Sequence, residues 1–166
     1  MPFPNIITER LSVRKLKIED ESEIFVLRSD ERVLKYLDIP IAKTIDDARN
    51  FIEKINNGII NNEWIYFGIA LKNKTKLIGT ICIWNISKDG LTADIGYVLH
   101  PDFQGRGIMR EALIKVINYG FEIMKLKSID ADVDPNNFKS IKLLEKNGFL
   151  YNRISDNGVI YSVVKN

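Results

Sequence analysis

The sequence predicts a mixed α/β fold of the α+β type, in which helices cover an antiparallel meander of strands. The chain has 166 residues, of which 45% are hydrophobic, which is enough for one domain spanning residues 1–166 with its own core. β-Branched and aromatic runs dominate its middle, and the polar connections between them are too short for parallel crossovers. Segments with helical spacing of apolar residues lie before and after this region.

The N-terminal third is predicted to form one strand and two helices. Residues 8–17 alternate between apolar and polar side chains, which is typical of a half-buried strand. Asp20, followed three residues later by Glu23, is consistent with a capping box that begins a short helix. A second helix is predicted to begin near Thr44, and residues 56–58 are expected to weaken or bend its end.

The remainder of the chain alternates strands with two more helices. Turn residues separate these segments, and Asn147-Gly148 ends the last helix. The predicted strands are residues 64–71, 77–85, 92–99, 128–133, 150–154 and 159–164. The predicted helices are residues 139–146 and residues 109–124, the latter with Ala112, Leu113, Val116, Ile117 and Phe121 on one face.

Charge and composition exclude several classes of function. The 24 Lys and Arg residues nearly balance 22 Asp and Glu residues and are interleaved with them, so we expect no direct binding to nucleic acid. The single cysteine, Cys82, and the single histidine, His100, exclude an internal disulfide and the common zinc motifs. We expect Cys82 in the core and His100 facing solvent without a catalytic role. A secretory leader and a long apolar run are both lacking, which predicts a soluble cytoplasmic protein away from membranes.

The most informative segment connects the strand at residues 92–99 to the helix that follows it. Gly105 and Gly107 let the backbone approach a ligand closely, and the N–H groups of a first helical turn lack intrahelical partners. These features suit an anion such as a diphosphate, although two glycines can also simply shape a tight turn. Ile108 excludes a P-loop, and Arg110 stands where a dinucleotide fingerprint needs its third glycine.

The same segment resembles the signature of the GNAT acyltransferase superfamily, which is Gln or Arg, two residues, Gly, one residue, then Gly or Ala. Gln104, Gly107 and Met109 occupy these positions, and Met109 departs from the pattern. The resemblance covers almost the whole chain and is strongest to the branch that acetylates ribosomal proteins and protein N-termini. It implies a splayed, mostly antiparallel sheet of about seven strands flanked by about four helices. The other segments that carry it are residues 8–14, 95–97, 111–113 and 137–149.

The resemblance implies acetyl-CoA as the acetyl donor and no metal. The diphosphate would lie over the main-chain N–H groups of residues 105–110, and the pantetheine arm would lie along residues 97–99 like an added strand. A helix-start hydroxyl such as Ser140 can also satisfy only the local backbone. The cofactor-binding residues that the resemblance implies are Tyr97, Val98, Leu99, Gln104, Gly105, Arg106, Gly107, Ile108, Met109, Arg110, Asn137 and Ser140.

Acetyl transfer to an amine requires a neutral nucleophile, a donor for the developing oxyanion and a route for one proton. The catalytic candidates are Asp94 and Asp132 as bases, directly or through water, and Ser140 near the CoA sulfur. Asp130 is expected on the solvated face. Leu144 stands where many relatives carry a tyrosine that protonates the leaving thiolate.

Two classes of function stay open at this stage. The first is an N-acetyltransferase that acts by direct transfer on the N-terminal α-amine of a ribosomal protein or peptide, or on a small amine such as a polyamine, amino acid or antibiotic. The second is a non-catalytic CoA-binding module. Acceptor recognition is expected from the N-terminal helices and the terminal strand pair, and a homodimer stays open as an arrangement. The aromatic candidates for the acceptor wall are Tyr36, Trp64, Trp84 and Tyr161.

Overall fold

The computed structural model describes residues 3–166; Met1 and Pro2, with which the stretch searched for a secretory leader begins, lie outside the described residues. Within this range the strands form one sheet in the order β1-β2-β3-β4-β5-β6-β8-β7. The strands are β1 (Ile6–Ile7), β2 (Leu11–Arg14), β3 (Ile65–Leu71), β4 (Leu77–Trp84), β5 (Thr92–Leu99), β6 (Ser128–Val133), β7 (Leu150–Ile154) and β8 (Val159–Val164). The α-helices are α1 (Glu21–Leu27), α2 (Glu31–Leu34), α3 (Ile45–Ile60), α4 (Ile108–Glu122) and α5 (Phe138–Lys146).

The mixed α/β class and the mostly antiparallel sheet are confirmed, with eight strands and five α-helices in residues 3–166 rather than about seven and about four. The strand expected over residues 8–17 is shorter and is β2 alone, because the chain turns at Thr8, whose N–H donates to the Leu11 carbonyl at 2.9 Å. Strand β1, which precedes this stretch, was not predicted. The four-residue helix α2 was not predicted, since a single turn is too short to show helical periodicity.

The predicted capping box at the start of α1 does not form. The Asp20 carboxylate is buried and is held by the Arg14 guanidinium in two hydrogen bonds of 2.9 Å. It also accepts a hydrogen bond from the Lys17 N–H at 2.7 Å. Asp20 therefore ends a 3₁₀ helix, Ile18–Asp20, and its side chain does not cap α1.

Helix α3 begins as predicted but does not end early. The Thr44 hydroxyl accepts a hydrogen bond from the Asp47 N–H at 3.2 Å, which caps the first turn. The helix then continues through Gly58 to Ile60. A Cβ atom on Gly58 would lie 2.1 Å from the Trp64 ring, so this glycine is a packing position rather than a break in the helix.

The helices pack on both faces of the sheet. On one face α4 buries Ala112, Leu113 and Val116, as its apolar spacing predicts, and Leu144 of α5 joins the same cluster. On the other face α1 and α3 pack against β3 and β4. Cys82 lies in the core as expected, and burial raises the pKa of its thiol to about 12. Among the described helices none is long and apolar enough to span a bilayer.

Strands β5 and β6 separate, and this separation positions the site. Their parallel pairing covers only three positions, from Thr92 with Ser128 to Asp94 with Asp130. Beyond them β5 stays paired with β4 up to Leu99, while β6 stays paired with β8 up to Val133. Within the described chain, the β5 main chain from residue 95 onward thus has a strand neighbour on one side only. An opening forms between the two strands.

Candidate active site

The loop between β5 and α4 has the conformation that the two glycines predict. Gly105 has a φ of +77° and Gly107 a φ of +74°, both in the left-handed region that strains residues with a side chain. Gly107 is the N-cap of α4, and it has no side chain with which to cap the first-turn N–H groups. Those N–H groups and the positive end of the helix dipole remain available to an anion.

Side chains around the loop leave this surface open. Ile108 and Met109 are buried, so their side chains point into the core and the departure from the family signature at Met109 does not obstruct the loop. Gln104 donates from its side-chain amide to the Leu99 carbonyl at 2.9 Å, which ties the loop to the end of β5. Nothing lies within 4 Å of a Cβ atom built on Gly105. The loop therefore fits a diphosphate that rests on main-chain N–H groups.

The opening between β5 and β6 is bounded by α5 on the α4 side of the sheet. The Tyr97 hydroxyl points across it and is hydrogen bonded to the Ser140 hydroxyl. Asn137 caps α5 by accepting a hydrogen bond from the Ser140 N–H at 3.3 Å. The Ser140 side chain thus faces the opening rather than serving its own backbone. Leu144 lines the same small cavity of about 100 Å³.

The Tyr97–Ser140 pair supplies protonated hydroxyls at this position. Burial raises the pKa of Tyr97 to about 12, only partly opposed by the hydrogen bond to Ser140. The phenol consequently keeps its proton at neutral pH. Since Leu144 carries no polar atom, these two hydroxyls are the side-chain proton donors next to the position where a tyrosine is expected in relatives.

An acidic cavity of about 470 Å³ lies on the opposite face of the same two strands. Strand alternation and the register of β5 with β6 place Asp94, Asp130 and Asp132 together there. Ser162 donates to Asp130 at 2.6 Å, and the Arg153 guanidinium lies 3.5 Å from the same carboxylate. Asp130 is thus already partnered, and the expectation that it lies on a solvated face is only partly met.

Asp94 lies partly shielded from water near the start of β5. It is half-buried, and burial raises its pKa, with Asp130 and Asp132 adding to the increase. The Asn85 amide donates to it at 2.9 Å and opposes part of this shift. A carboxylate with a raised pKa is a stronger base than an ordinary one, which is the property expected of a general base.

Asp132 connects the two cavities. It lines both the small cavity beside Tyr97 and the acidic cavity beside Asp94, so the two spaces meet where β5 and β6 separate. Its carboxylate is exposed and accepts a hydrogen bond from Ser155 at 2.8 Å. The predicted catalytic residues Asp94, Asp132 and Ser140 therefore surround one opening.

Sequence analysis missed the side chains that partner these residues. Asn85 ends the predicted strand at residues 77–85, and the hairpin register with residues 92–99 could have placed it near Asp94. Arg153 reaches Asp130 across β8, which no local pattern indicates. The role of the Tyr97 hydroxyl has no local sequence signal, because its partner Ser140 lies 43 residues away.

The four aromatic candidates for the acceptor wall divide into two pairs. Tyr36, which follows the unpredicted α2, lines the small cavity, and Trp84 pairs with Asp94 across the strands and is 47% exposed. Trp64 instead packs on Gly58, and Tyr161 packs edge-to-face on Tyr151. Only Tyr36 and Trp84 are therefore placed to contact a ligand in the opening.

His100 is less exposed than expected. Its Nδ1 accepts a hydrogen bond from the Asp102 N–H at 3.2 Å, and its side chain is 22% exposed. The imidazole thereby caps the 3₁₀ helix Pro101–Phe103, which precedes the glycine loop. Over residues 3–166 no three His, Cys, Asp or Glu side chains are grouped to hold a metal ion.

A helix start without a side-chain cap, beside a strand with one open edge, is the geometry that the resemblance to GNAT acyltransferases implies for binding a CoA thioester. The chain matches the family described as "Acetyltransferase (GNAT) domain" over residues 10–150 and belongs to that family. It is therefore an acetyltransferase that uses acetyl-CoA, as the family resemblance implies.

Individual relatives agree with this assignment. The uncharacterized N-acetyltransferase p20 of Bacillus licheniformis is 36% identical over 144 residues, which cover 87% of this chain and 81% of the relative. The crystal structure of a ribosomal-protein-S5-alanine acetyltransferase from Vibrio fischeri superposes with a TM-score of 0.85 at 25% identity, covering 98% and 97% of the two chains. The microcin C7 self-immunity acetyltransferase MccE, solved with acetyl-CoA and AMP, gives 0.81 at 25% identity over 95% and 94%.

Proposed function

We propose that this acetyltransferase acts on the N-terminal α-amine of a protein or peptide, with ribosomal proteins as the first candidates. The observation that carries the proposal is the meeting of two unlike cavities at Asp132. One contains the Tyr97 and Ser140 hydroxyls and lies on the face where α4 begins, and the other contains three carboxylates and lies on the opposite face. Donor and acceptor can thus approach one point from opposite faces of the sheet.

The donor side would hold acetyl-CoA mainly through main-chain groups. In this proposal the N–H groups of residues 105–110 bind the diphosphate, and Gln104 keeps the loop in place. The pantetheine arm lies along the open edge of β5 at residues 97–99, with Asn137 and Ser140 facing it across the opening. Bound in this way, acetyl-CoA supplies an acetyl group already activated as a thioester.

The acceptor side favours a cationic amine. The carboxylates of Asp94, Asp130 and Asp132 attract a protonated amine, while Arg153 offsets part of their charge. An α-amine has a pKa of about 7.7–8.0, against about 10.4 for a lysine side chain, so it loses its proton far more readily. The cavity opens to solvent, which leaves room for the chain that follows an N-terminal residue.

Each proposed catalytic residue moves or attracts a proton at a defined place. Asp94 accepts the proton of the amine, directly or through a water molecule, and Asp132 guides the amine from the acidic cavity into the opening. A main-chain N–H of residues 97–99 donates to the negative charge that develops on the carbonyl oxygen. Ser140, hydrogen bonded to Tyr97, donates a proton to the departing thiolate and regains one from solvent.

A small polycation is the second candidate acceptor. Three carboxylates in one cavity exceed what a single ammonium group needs, and a polyamine carries more than one ammonium group to pair with them. The S5-alanine acetyltransferase from Vibrio fischeri, which aligns over nearly its whole length, favours the protein N-terminus as the first choice.

Release of free CoA thiol in the presence of different acceptors tests the proposal. The panel contains peptides with ribosomal-protein N-termini, the same peptides with a blocked α-amine and an internal lysine, and spermidine. We expect thiol release with the free α-amines and none above hydrolysis with the blocked peptides, and mass spectrometry should locate the acetyl group on the first residue. Release with the blocked peptides, or with spermidine alone, would contradict the assignment.

A further inference from the structure

The turn between β1 and β2 contacts the start of α4 through one ion pair. The Nε of Arg10 donates to Oε1 of Glu111 at 2.8 Å, and its main-chain N–H donates to Oε2 at 3.0 Å. The Thr8 hydroxyl donates to the same Oε2. Both oxygens of the Glu111 carboxylate are therefore occupied by donors from a turn about a hundred residues away in the sequence.

Arg10 also reaches the glycine loop itself. Its Nη1 donates to the carbonyl oxygen of Arg106 at 2.8 Å. The peptide between Arg106 and Gly107 is planar and trans, so its N–H points away from its C=O. Fixing the Arg106 carbonyl toward Arg10 consequently directs the Gly107 N–H to the opposite side of the loop.

The ion pair also alters the charge next to the anion site. Glu111 lies in the first turn of α4, where an unpaired carboxylate would repel a bound diphosphate. Partial burial tends to raise the pKa of Glu111, but the hydrogen bonds from Thr8 and Arg10 outweigh it and hold this pKa below its usual value. Glu111 is thus ionised, and the guanidinium of Arg10 neutralises it.

The hairpin does not depend on the Arg10 side chain. Strand β1 pairs with β2, and the Leu11 N–H donates to the Thr8 hydroxyl at 2.9 Å. The Arg10 carbonyl accepts a hydrogen bond from the Lys72 N–H at 2.8 Å, which ties the turn to the end of β3. None of these contacts involves the guanidinium, whose own contacts are with Glu111 and the glycine loop.

We propose that Arg10, through Glu111 and the Arg106 carbonyl, is a positioning residue that orients the loop N–H groups toward the diphosphate of acetyl-CoA. This inference rests on the proposed placement of the diphosphate over residues 105–110. It predicts that Arg10 affects only those donors that carry a diphosphate.

The test compares acetyl-CoA with acetyl-pantetheine, a thioester that lacks the diphosphate and the nucleotide. For Arg10→Met we expect KM for acetyl-CoA to rise about tenfold at nearly constant kcat, as the loss of a charge-assisted contact predicts, while kcat/KM for acetyl-pantetheine is unchanged. CoA binding measured by calorimetry should weaken by the same factor. Arg10→Lys, which keeps the charge but not the fork of donors, should recover part of the affinity.

Arg49→Met is the matched control. Arg49 has the same side-chain exposure of 44% and a similar ion pair, with Glu21 at 2.9 Å, but it lies on α3 on the other face of the sheet. We expect it to lower thermal stability about as much as Arg10→Met without changing CoA affinity. Equal losses with both donors, or unchanged CoA affinity in Arg10→Met, would overturn the proposal.

Gly107→Arg in the same series distinguishes an error in the placement of the diphosphate from an error in the role of Arg10. If Gly107→Arg loses CoA affinity and Arg10→Met keeps it, the diphosphate placement stands and the role of Arg10 is wrong. If Gly107→Arg keeps wild-type affinity, the placement itself is wrong, and the proposed role of Arg10 is overturned with it.

Discussion

The two sides of the opening between β5 and β6 are built from different parts of the chain. The side proposed for acetyl-CoA consists of main-chain N–H groups at the start of α4, held in place by Gln104 and Arg10. The side proposed for the acceptor consists of side chains, of which Asp132 is exposed and Asp94 half-buried. One side depends on the backbone conformation, and the other depends on the identity of individual residues.

This difference explains how one fold can serve many acceptors. A loop that binds through its main chain tolerates substitutions such as Met109, provided that the glycine conformations persist. A cavity lined by side chains changes its preference with each substitution and leaves the core intact. Mutations on the two sides should therefore have separable effects on donor and acceptor kinetics.

The largest effect is expected from Gly107→Arg, which acts on the donor side alone. An arginine at a φ of +74° strains the loop, and its Cβ atom would lie 3.4 Å from Nη2 of Arg10, so the two guanidinium groups would repel each other and displace the loop N–H groups. The loss of two charge-assisted hydrogen bonds, each worth roughly 1.5–3 kcal/mol, corresponds to a fall in CoA affinity of about 10²-fold or more. Isothermal titration calorimetry with CoA measures it.

Gly90→Arg is the control for the backbone strain. Gly90 has a φ of +72° in the turn before β5, and nothing lies within 4 Å of a Cβ atom built there. Both variants should lose about 1–2 kcal/mol of stability, since both force a side chain into the left-handed region. Comparable CoA affinity in the two variants would mean that the loop does not hold the diphosphate.

The donor side could be predicted from the sequence to a greater extent than the acceptor side. The donor loop is local, because the end of the strand, the two glycines and the start of the helix all lie between residues 97 and 112, and its conformation agrees with the prediction. The acceptor side is assembled by the separation of β5 from β6 and by pairs such as Asp130 with Ser162, which are 32 residues apart. The spacing of residues along the chain does not indicate contacts between residues so far apart in the sequence.

The predictions from local sequence context were wrong at two positions that contact residues distant in the chain. Asp20 has the sequence context of a helix cap, but Arg14 offers its carboxylate a buried ion pair with two hydrogen bonds. Gly58 looks like the end of a helix, but the Trp64 ring occupies the space that its missing side chain leaves. In both positions tertiary packing outweighs the local preference.

The second-largest effect is expected from Asp94→Asn on the acceptor side, which should leave CoA binding unchanged. Asp94→Asn removes the proposed base, and we expect kcat to fall about 10²-fold at pH 8, the lower end for general base catalysis. The carboxylate acts only when deprotonated, so wild-type activity is lost as the pH falls through the raised pKa of Asp94. The pH profile of kcat should show this acid limb in the wild type and lack it in the variant.

Asp130→Asn is the paired variant for this measurement. Asp130 contributes to the raised pKa of Asp94 through its negative charge, so its neutralisation should lower that pKa and move the acid limb to lower pH. The kcat above the limb should stay within about threefold of wild type, because Asp130 receives no proton. If the limb persists in Asp94→Asn, another group is the base.

The smallest effect is expected where the two sides meet, at the Tyr97–Ser140 pair. Ser140→Ala removes the proposed proton donor, but a thiol with a pKa of about 8.5 leaves readily as the thiolate, so kcat should fall only about tenfold, less than is usual for general acid catalysis.

Tyr97→Phe keeps the ring and leaves Ser140 without its partner. If Ser140 donates the proton itself, Tyr97→Phe should lower kcat less than Ser140→Ala does, whereas equal losses would indicate a relay that needs both hydroxyls. Pre-steady-state measurement of thiolate release separates this step from product dissociation, and an unchanged release rate in both variants would assign the proton to water.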